Sequence, residues 1–213
     1  MVNIQSDHIE TSNSVKFLGI YIDQYLQWDV HLLQLCKKLN SACYSIRVLK
    51  EYLQQDTLLT VYYANFYSQL RYGIMFWGSA VATSELLIIQ KKVIRIILGM
   101  KIKDSCRGKF KLLNILTFPA IYIYECLKFL FKNPLLFNHY IPNHTHHTRA
   151  LNLTIPRHRL TLTERSPLYA CIKFHNKLPS ALKQEIQFGR FKRELFKYLV
   201  IVEPYTVVEY LEY

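Results

Sequence analysis

The chain reads as mainly α: a helical bundle with a short N-terminal β element and an irregular loop region that contains histidines and prolines. Three observations predict this. Apolar residues make up 51% of the 213 positions and charged residues 20%, enough greasy surface for a folded core. Only six glycines occur, which disfavours a turn-rich sandwich. Long stretches repeat apolar residues at i, i+3 and i+4, the spacing of an amphipathic helix. The reading divides the chain into an entry at 1–14, a strand plus bundle at 15–133, a loop segment at 134–165, a helical piece at 166–202 and an acidic tail at 203–213.

Residues 1–14 are polar and read as a frayed entry. VKFLGIYID (15–23) alternates as one strand, with Gly19 marking a bend or a close backbone approach. From Asp29, a candidate N-cap, helical spacing carries Leu32, Leu35, Cys36, Leu39, Ala42, Cys43, Ile46, Leu49 and Leu53. A second helix begins after Asp56, turns Leu59, Tyr62, Tyr63, Phe66 and Leu70 inward, and stops near Tyr72–Gly73. Trp77 and Gly78 fall in a break. Thr83 or Ser84 caps a third helix through Leu86, Ile89, Val93, Ile96 and Ile97, which Gly99 closes as the left-handed C′ residue. Residues 105–116 form a short basic amphipathic piece. Pro119 takes the first helical position of a helix that runs to Asn133–Pro134. Three prolines and five histidines then break the pattern over 134–165. Ser166–Pro167 restarts a helix through Ala170, Phe174 and Leu178. Pro179 interrupts it, with Asn176 tolerating the turn, and Phe191, Leu195, Tyr198 and Leu199 face the core from a last helix.

The formal charge is +12, from 27 basic and 15 acidic residues, with pI near 9.5. A field of that sign favours a polyanionic partner; a basic surface kept for solubility is the competing reading. Cysteines at 36, 43, 106, 126 and 171 are odd in number, widely spaced and lack a CxxC, which fits reduced thiols. Cys36 and Cys43, seven apart on one helix face, read as small core residues. The N-terminus has no signal-peptide pattern, and no run of about 18 apolar residues occurs. The expectation is an intracellular protein, nuclear or cytoplasmic, neither secreted nor membrane-bound.

Several short motifs then follow in a recognisable order. VKFLGIYID with LQWDVHL resembles a K-F/Y-L-G-I strand followed by L-x-W-x-x-H. YYANFYSQLRYGIMFWGSA, LLIIQKKVIRIILG, HTHHTR and FHNKLPSALK…FGRFKRELFKYL continue the resemblance. Together, over roughly residues 14–199, they resemble the thumb and following region of reverse transcriptases from non-LTR retrotransposons of the LINE, jockey-like type. The resemblance implies a C-terminal fragment of an RNA-directed DNA polymerase, whose fingers and palm precede this segment. It implies a thumb that grips RNA or an RNA–DNA template–primer duplex. It places Mg²⁺ only in a complete polymerase, with no cofactor in this chain. The alternative is a helical protein-interaction module or an adopted remnant with no nucleic-acid role.

Polymerase chemistry needs carboxylates that converge on two metals about 3.5–4 Å apart. No two of the 15 acidic residues are adjacent in sequence, and Tyr21-Ile22-Asp23 is followed by Gln24. Asp23 therefore reads as a strand-end residue, and no catalytic residue is assigned. The basic residues form two clusters. Residues 91–111 hold eight against one acid, with candidate phosphate contacts Lys91, Lys92, Arg95, Lys101, Lys103, Arg107 and Lys109; the first three are assigned to one face of the third helix. Residues 149–197 hold eleven against three, with candidates Arg149, Arg157, Arg159, Arg190, Lys192 and Arg193. A concave face shared by Lys91, Arg95, Lys109 and Arg193 is the arrangement a duplex grip would require. His139, His144, His146 and His147 lack a paired half such as CxxC, so no metal site is assigned; Thr148 and Arg149 are the residues the resemblance emphasises there. Trp28 and Trp77 read as packing anchors.

Overall fold

A computed structural model describes residues 2–4, 7–9, 12–141 and 151–213. Its N-terminal β element is two antiparallel hairpins, which corrects the expectation of a frayed entry and a single strand. β1 (Val2–Ile4) pairs with β2 (Asp7–Ile9), and β3 (Ser14–Phe17) pairs with β4 (Ile20–Asp23). Leu18 (φ 47°) and Gly19 (φ 82°) form a two-residue turn in the left-handed region, the geometry that suits the twist of a hairpin. Leu18 fits there under strain, and the Tyr72 hydroxyl donates to its carbonyl at 2.7 Å.

Asp23 ends β4 and organises the turn into the first helix. Its carboxylate accepts the amides of Tyr25 (3.2 Å), Gln27 (2.9 Å) and Trp28 (2.5 Å). Desolvation pushes its pKa upward, but the amides of Gln27, Trp28 and Tyr25 win and hold it below the usual value. Helix α1 (Asp29–Leu49) then starts from Trp28, whose left-handed backbone (φ 69°) occupies the N-cap position. The expected cap, Asp29, sits one residue inside the helix and makes no capping bond.

The second helix is α2 (Gln55–Val61), a π-helical stretch at Tyr62–Tyr67, and α3 (Ser68–Arg71), in sequence. Leu58, Tyr62, Phe66, Leu70 and Ile74 are all 2% exposed or less. A strict four-residue spacing outruns an α-helical turn by about 40° each time. The wider π turn takes up the drift and keeps one face on the core. Leu58 is thus the inward residue; Leu59 is half-buried and Tyr63 is exposed, against the sequence expectation. Trp77 lies in a short helix α4 (Ile74–Trp77) and not in a break. It is fully buried, stacked on Phe118 at 6.1 Å and packed against His31 at 5.4 Å.

A 3-10 turn (Val81–Thr83) leads into α5 (Ser84–Leu98). Gly99 (φ 67°) closes α5 in a Schellman arrangement: its amide bonds Ile96 O at 3.2 Å and that of Met100 bonds Arg95 O at 2.9 Å. On α5 the fully buried Gln90 Nε2 donates to the Tyr62 hydroxyl and to Leu116 O, both at 2.9 Å. One amide thereby ties the π segment to the chain leading out of α6 (Lys109–Leu112).

Helix α7 (Phe118–Lys132) begins at Thr117, whose hydroxyl accepts the Ala120 amide, with Pro119 in the first turn. Phe118 through Tyr124 are buried without a break, so α7 is covered all round. It packs against α3, α4 and α5 on the N-terminal side. Later elements complete its cover: α9 (Pro167–Asn176), α11 (Phe188–Val202) and α12 (Val207–Glu212). Tyr122 meets Phe174 edge-on at 5.4 Å, and Phe131 stacks on Phe191 at 4.5 Å. A 3-10 stretch (Pro134–Tyr140) follows α7, the short α8 (Thr161–Glu164) precedes α9, and α10 (Ser180–Lys183) precedes α11. Ser166 caps α9 as expected, accepting the Tyr169 amide with Pro167 next in line.

Asn176 has a tertiary role that its turn-forming character did not predict. Its side chain accepts from Leu153 N and donates to Leu153 O, both at 2.8 Å, like a strand partner. Lys183 Nζ adds bonds to Asn152 Oδ1 (2.7 Å) and Asn176 O (2.8 Å). The extended segment after residue 150 is thus pinned to the end of α9.

Replacing Gln90 by Leu leaves the Tyr62 hydroxyl and Leu116 carbonyl buried without a partner. The expected loss is about 2 kcal/mol, seen as a lower urea midpoint at an unchanged slope. A pH dependence arises from His31 and His175, whose Nε2 and Nδ1 respectively are buried with no hydrogen-bond partner. Burial lowers both pKa values below the usual 6.5, aided by Lys38 at His31 and by Lys183 at His175, where Asn176 opposes. The unfolded chain then binds protons that the native state refuses. Stability from this source is fully present above pH 6.5 and falls as pH drops toward the native values. Denaturation midpoints measured across that range should decline with falling pH, and less so in a His31→Gln variant.

Candidate nucleic-acid interface

The basic residues of the first cluster reach different surroundings. Lys91 and Arg95 point toward the loop that follows α5; both are half-buried. Lys91 Nζ lies 4.2 Å over the Tyr205 ring, and Arg95 Nε donates to Asp104 O at 3.0 Å. Burial lowers the Lys91 pKa, with Arg95 and Arg107 adding to the effect. Lys92, one residue on, is exposed and acts on Cys43 of α1 together with Arg47. The single face assigned to Lys91, Lys92 and Arg95 is therefore two: successive helical residues are about 100° apart. Buried Ile94 joins Val93 and Ile97 in the core, while Ile96 is half-buried. Lys101 and Lys103 are exposed in the loop, whose turn is closed by Asp104 Oδ2 accepting the Lys101 amide at 2.8 Å. Lys109 is half-buried at the start of α6.

Arg107 is engaged by the C-terminal segment. Its Nη1 is 2.6 Å from Glu209 Oε1, and its guanidinium lies 4.1 Å over the Tyr205 ring. The hydrogen bond to Glu209 is the main reason its pKa rises. Both oxygens of buried Glu203 accept the Gly108 amide at 2.9 Å. Burial still raises the Glu203 pKa, against the Gly108 amide and Arg107. Thr117 Oγ1 donates to Pro204 O at 2.5 Å, and buried Tyr210 donates to Phe174 O at 3.1 Å. The segment 203–213 thus docks on the bundle through a buried carboxylate, a buried phenol and a helix. Thr206 caps that helix through the Glu209 amide, in a T-x-x-E capping pattern plain in TVVE.

In the second cluster, Arg157 and Arg159 are exposed on the extended segment that Asn176 pins. Arg190 pairs with Glu185 at 3.1 Å and Arg193 with Glu194 at 3.3 Å. Lys192 is exposed on α11 and close enough to Lys128 of α7 to lower its pKa, after burial and against Glu125. Arg149 lies outside the described residues. Sequence reasoning missed Arg71, Lys128 and Lys132. Glu125 binds Arg71 at 2.7 Å and Lys128 at 3.0 Å, and Lys132 Nζ sits 4.8 Å over Phe188. The i, i+4 pair of lysines at the end of α7 was the available signal.

The residues named for a duplex grip divide accordingly. Lys91 and Arg95 gather with Arg107 beside the C-terminal segment; Lys109 lies on α6, which packs against α11, the helix carrying paired Arg193. Among the described residues no helix is long and apolar enough to cross a membrane, and no three His, Cys, Asp or Glu side chains gather as metal ligands. His139 is exposed, and His144, His146, His147 and Thr148 lie outside the described residues. Asp23 is committed to three backbone amides, so its donor set does not fit a two-metal site. Cys43, Cys106, Cys126 and Cys171 are buried free thiols; Cys36 is half-buried, packed against the edge of the core with its sulfur 3.9 Å from Glu85.

No match was found. Comparison with protein-family models, with curated proteins and with solved structures gave none for this chain.

The docked C-terminal segment makes two substitutions diverge. Tyr210→Ala removes a fully buried ring and its bond to Phe174, and should lower stability by about 3 kcal/mol or more. Glu209→Gln disturbs a half-exposed pair and should cost under about 1 kcal/mol. Urea denaturation of the two variants checks the contrast.

Proposed function

We propose that this chain is a duplex-holding, non-catalytic segment, equivalent to the thumb and following region of a LINE-type, jockey-like reverse transcriptase. It binds RNA or an RNA–DNA duplex without sequence preference, and it supplies charge and shape to a polymerase whose bond-making carboxylates lie elsewhere. The carrying observation is that six of the candidate cations are exposed with no ion-pair partner among the described residues, Lys92, Lys101, Lys103, Arg157, Arg159 and Lys192, on a chain of net charge +12. Such cations attract the phosphate backbone by releasing its counterions, which requires no base reading. The order of the short motifs supports the family assignment, and the scarcity of paired acids in the sequence supports the absence of polymerase chemistry within this segment.

A second reading has its own observation. Phe17, Leu18, Tyr72 and Phe76 are 55% to 72% exposed. The Tyr72–Leu18 hydrogen bond joins the hairpin to the end of α3 there. An exposed apolar surface of this kind suits a protein partner, such as the remainder of a polymerase or an unrelated protein for an adopted remnant.

The two readings separate in a salt series. For the first, heteroduplex affinity measured by fluorescence anisotropy should drop by about two orders of magnitude between about 50 and 200 mM salt. A combined Lys92→Glu, Lys101→Glu, Lys103→Glu variant should bind about tenfold more weakly or worse at the lower salt and show a shallower slope. Arg190→Gln, whose guanidinium is already paired, should change little. A flat salt dependence, or no binding at the lower salt, removes the first reading and leaves the apolar surface.

A further inference from the structure

A groove of about 620 Å³ opens between α5, the start of α7, α9 and the C-terminal segment. Its volume falls in the range of small-molecule sites, about 300–1,000 Å³. The walls are largely apolar, from Leu87, Phe118, Tyr169 and Leu211. Two lysines line it, Lys91 from α5 and Lys173 from α9. Each lies near a tyrosine ring, Lys91 over Tyr205 at 4.2 Å and Lys173 over Tyr169 at 5.6 Å. Neither has a carboxylate partner among the described residues. The one carboxylate lining the groove, Glu164, stands 3.5 Å from His158 Nε2. Tyr122, 1% exposed, also lines it; its hydroxyl, beside Ser79 and Cys126, makes no well-formed hydrogen bond.

We propose that this groove binds an unpaired nucleotide, with its base against the apolar wall and its phosphate on Lys91 and Lys173. An apolar cleft calls for a flat or greasy body. Two unpaired ammonium groups at the same cleft call for an anion on that body. The aromatic lining favours a base over a saturated chain, because every base offers a π-face to tyrosine and phenylalanine. The inference deepens the duplex-holding reading and rests on it for the class of ligand: a strand leaving the duplex would place one unpaired nucleotide here, apart from the exposed lysines that hold the backbone.

The test uses the full, isotope-labelled chain and follows its amide resonances during titration with adenosine monophosphate, adenosine or dodecanoate. A heteroduplex titration by anisotropy runs in parallel. The expected result is adenosine monophosphate binding in the millimolar range or tighter, with shifts confined to groove residues such as Leu87, Ala170 and Val207. Adenosine should bind about tenfold more weakly, and so should the monophosphate to a Lys91→Gln, Lys173→Gln variant. Both lysines are partly solvent-exposed, and unchanged spectra of the free variant establish that it folds. Duplex binding without any response to the nucleotide up to about 10 mM overturns the groove inference and not the duplex reading. Nucleotide binding without duplex binding supports the groove and overturns the duplex reading. Equal affinity for adenosine and its monophosphate, or preference for dodecanoate, overturns the assignment of a nucleotide.

Discussion

The fold depends on covering one helix. From Phe118 to Tyr124, α7 presents a buried residue at every position, so no single amphipathic neighbour can satisfy it. Cover comes from α3, α4 and α5 on the N-terminal side and from α9, α11 and α12 on the other. The two sides are remote in sequence yet form one continuous apolar cluster that runs from Leu32 to Tyr210. The cost of leaving α7 open explains why the C-terminal residues fold back. Tyr210 closes over Phe174, which closes over Tyr122, in a chain of edge-on aromatic contacts at 5.9 and 5.4 Å.

That closure has an electrostatic consequence. The returning segment brings Glu203 and Glu209 to the Gly108 amide and to Arg107, and lays Tyr205 against Lys91 and Arg107. Cations that look interchangeable along 91–111 therefore have unequal standing. Arg107 is neutralised by a carboxylate at 2.6 Å and rests on a tyrosine ring; Lys101 and Lys103, a few residues away, face water. A phosphate approaching Arg107 has to displace a carboxylate, whereas at Lys103 it displaces only solvent and mobile ions. The same inequality holds on α11, where Glu185 and Glu194 engage Arg190 and Arg193 but leave Lys192.

Where stop and start signals are local chemistry, the sequence was readable. Ser166–Pro167, Thr117 with Pro119, and Gly99 each act within one turn of where they stand, through a hydroxyl, a fixed φ or a missing Cβ. Signals that depend on a partner elsewhere were not. The entry to α1 is held by Asp23, whose carboxylate accepts the amide of Trp28 from across a turn, so Asp29 drew the assignment by proximity alone. Asn176 carries turn chemistry by residue type, yet its amide is matched to Leu153, 23 residues away. The π segment was legible in principle: Leu58, Tyr62, Phe66, Leu70 and Ile74 repeat every fourth residue. Scoring that run against a 3.6-residue template moved Leu59 and Tyr63 inward in error. Likewise T-x-x-E in the C-terminal segment announced a helix that its acidity disguised. For the candidate interface, charge and clustering were visible in the sequence, and the pairs Arg190–Glu185 and Arg193–Glu194 are local, but the pairing of Arg107 was not visible, because it is fixed by the tertiary return of Glu209.

The division of labour between the charges follows from burial. Arg71, Glu125 and Lys128 meet at the side of α7, where the shielding of Glu125 and Lys128 strengthens an interaction that water weakens, whereas Arg107 and Glu209 meet half-exposed where the C-terminal segment docks. Exposed pairs such as Arg193 with Glu194 contribute little to stability in water. They do set the local field, since a carboxylate beside an arginine cancels its attraction for a distant anion within a Debye length of about 10 Å. A surface that holds a polyanion must therefore keep cations away from acids, and a surface that holds itself together must bring them side by side. Both arrangements occur in this bundle: Glu185, Glu194 and Glu209 engage Arg190, Arg193 and Arg107, while Lys92, Lys101, Lys103, Arg157, Arg159 and Lys192 have no ion-pair partner among the described residues. Substituting an unpaired cation should leave the fold intact, because nothing in the bundle leans on it, while substituting a carboxylate of the returning segment alters packing and charge at once.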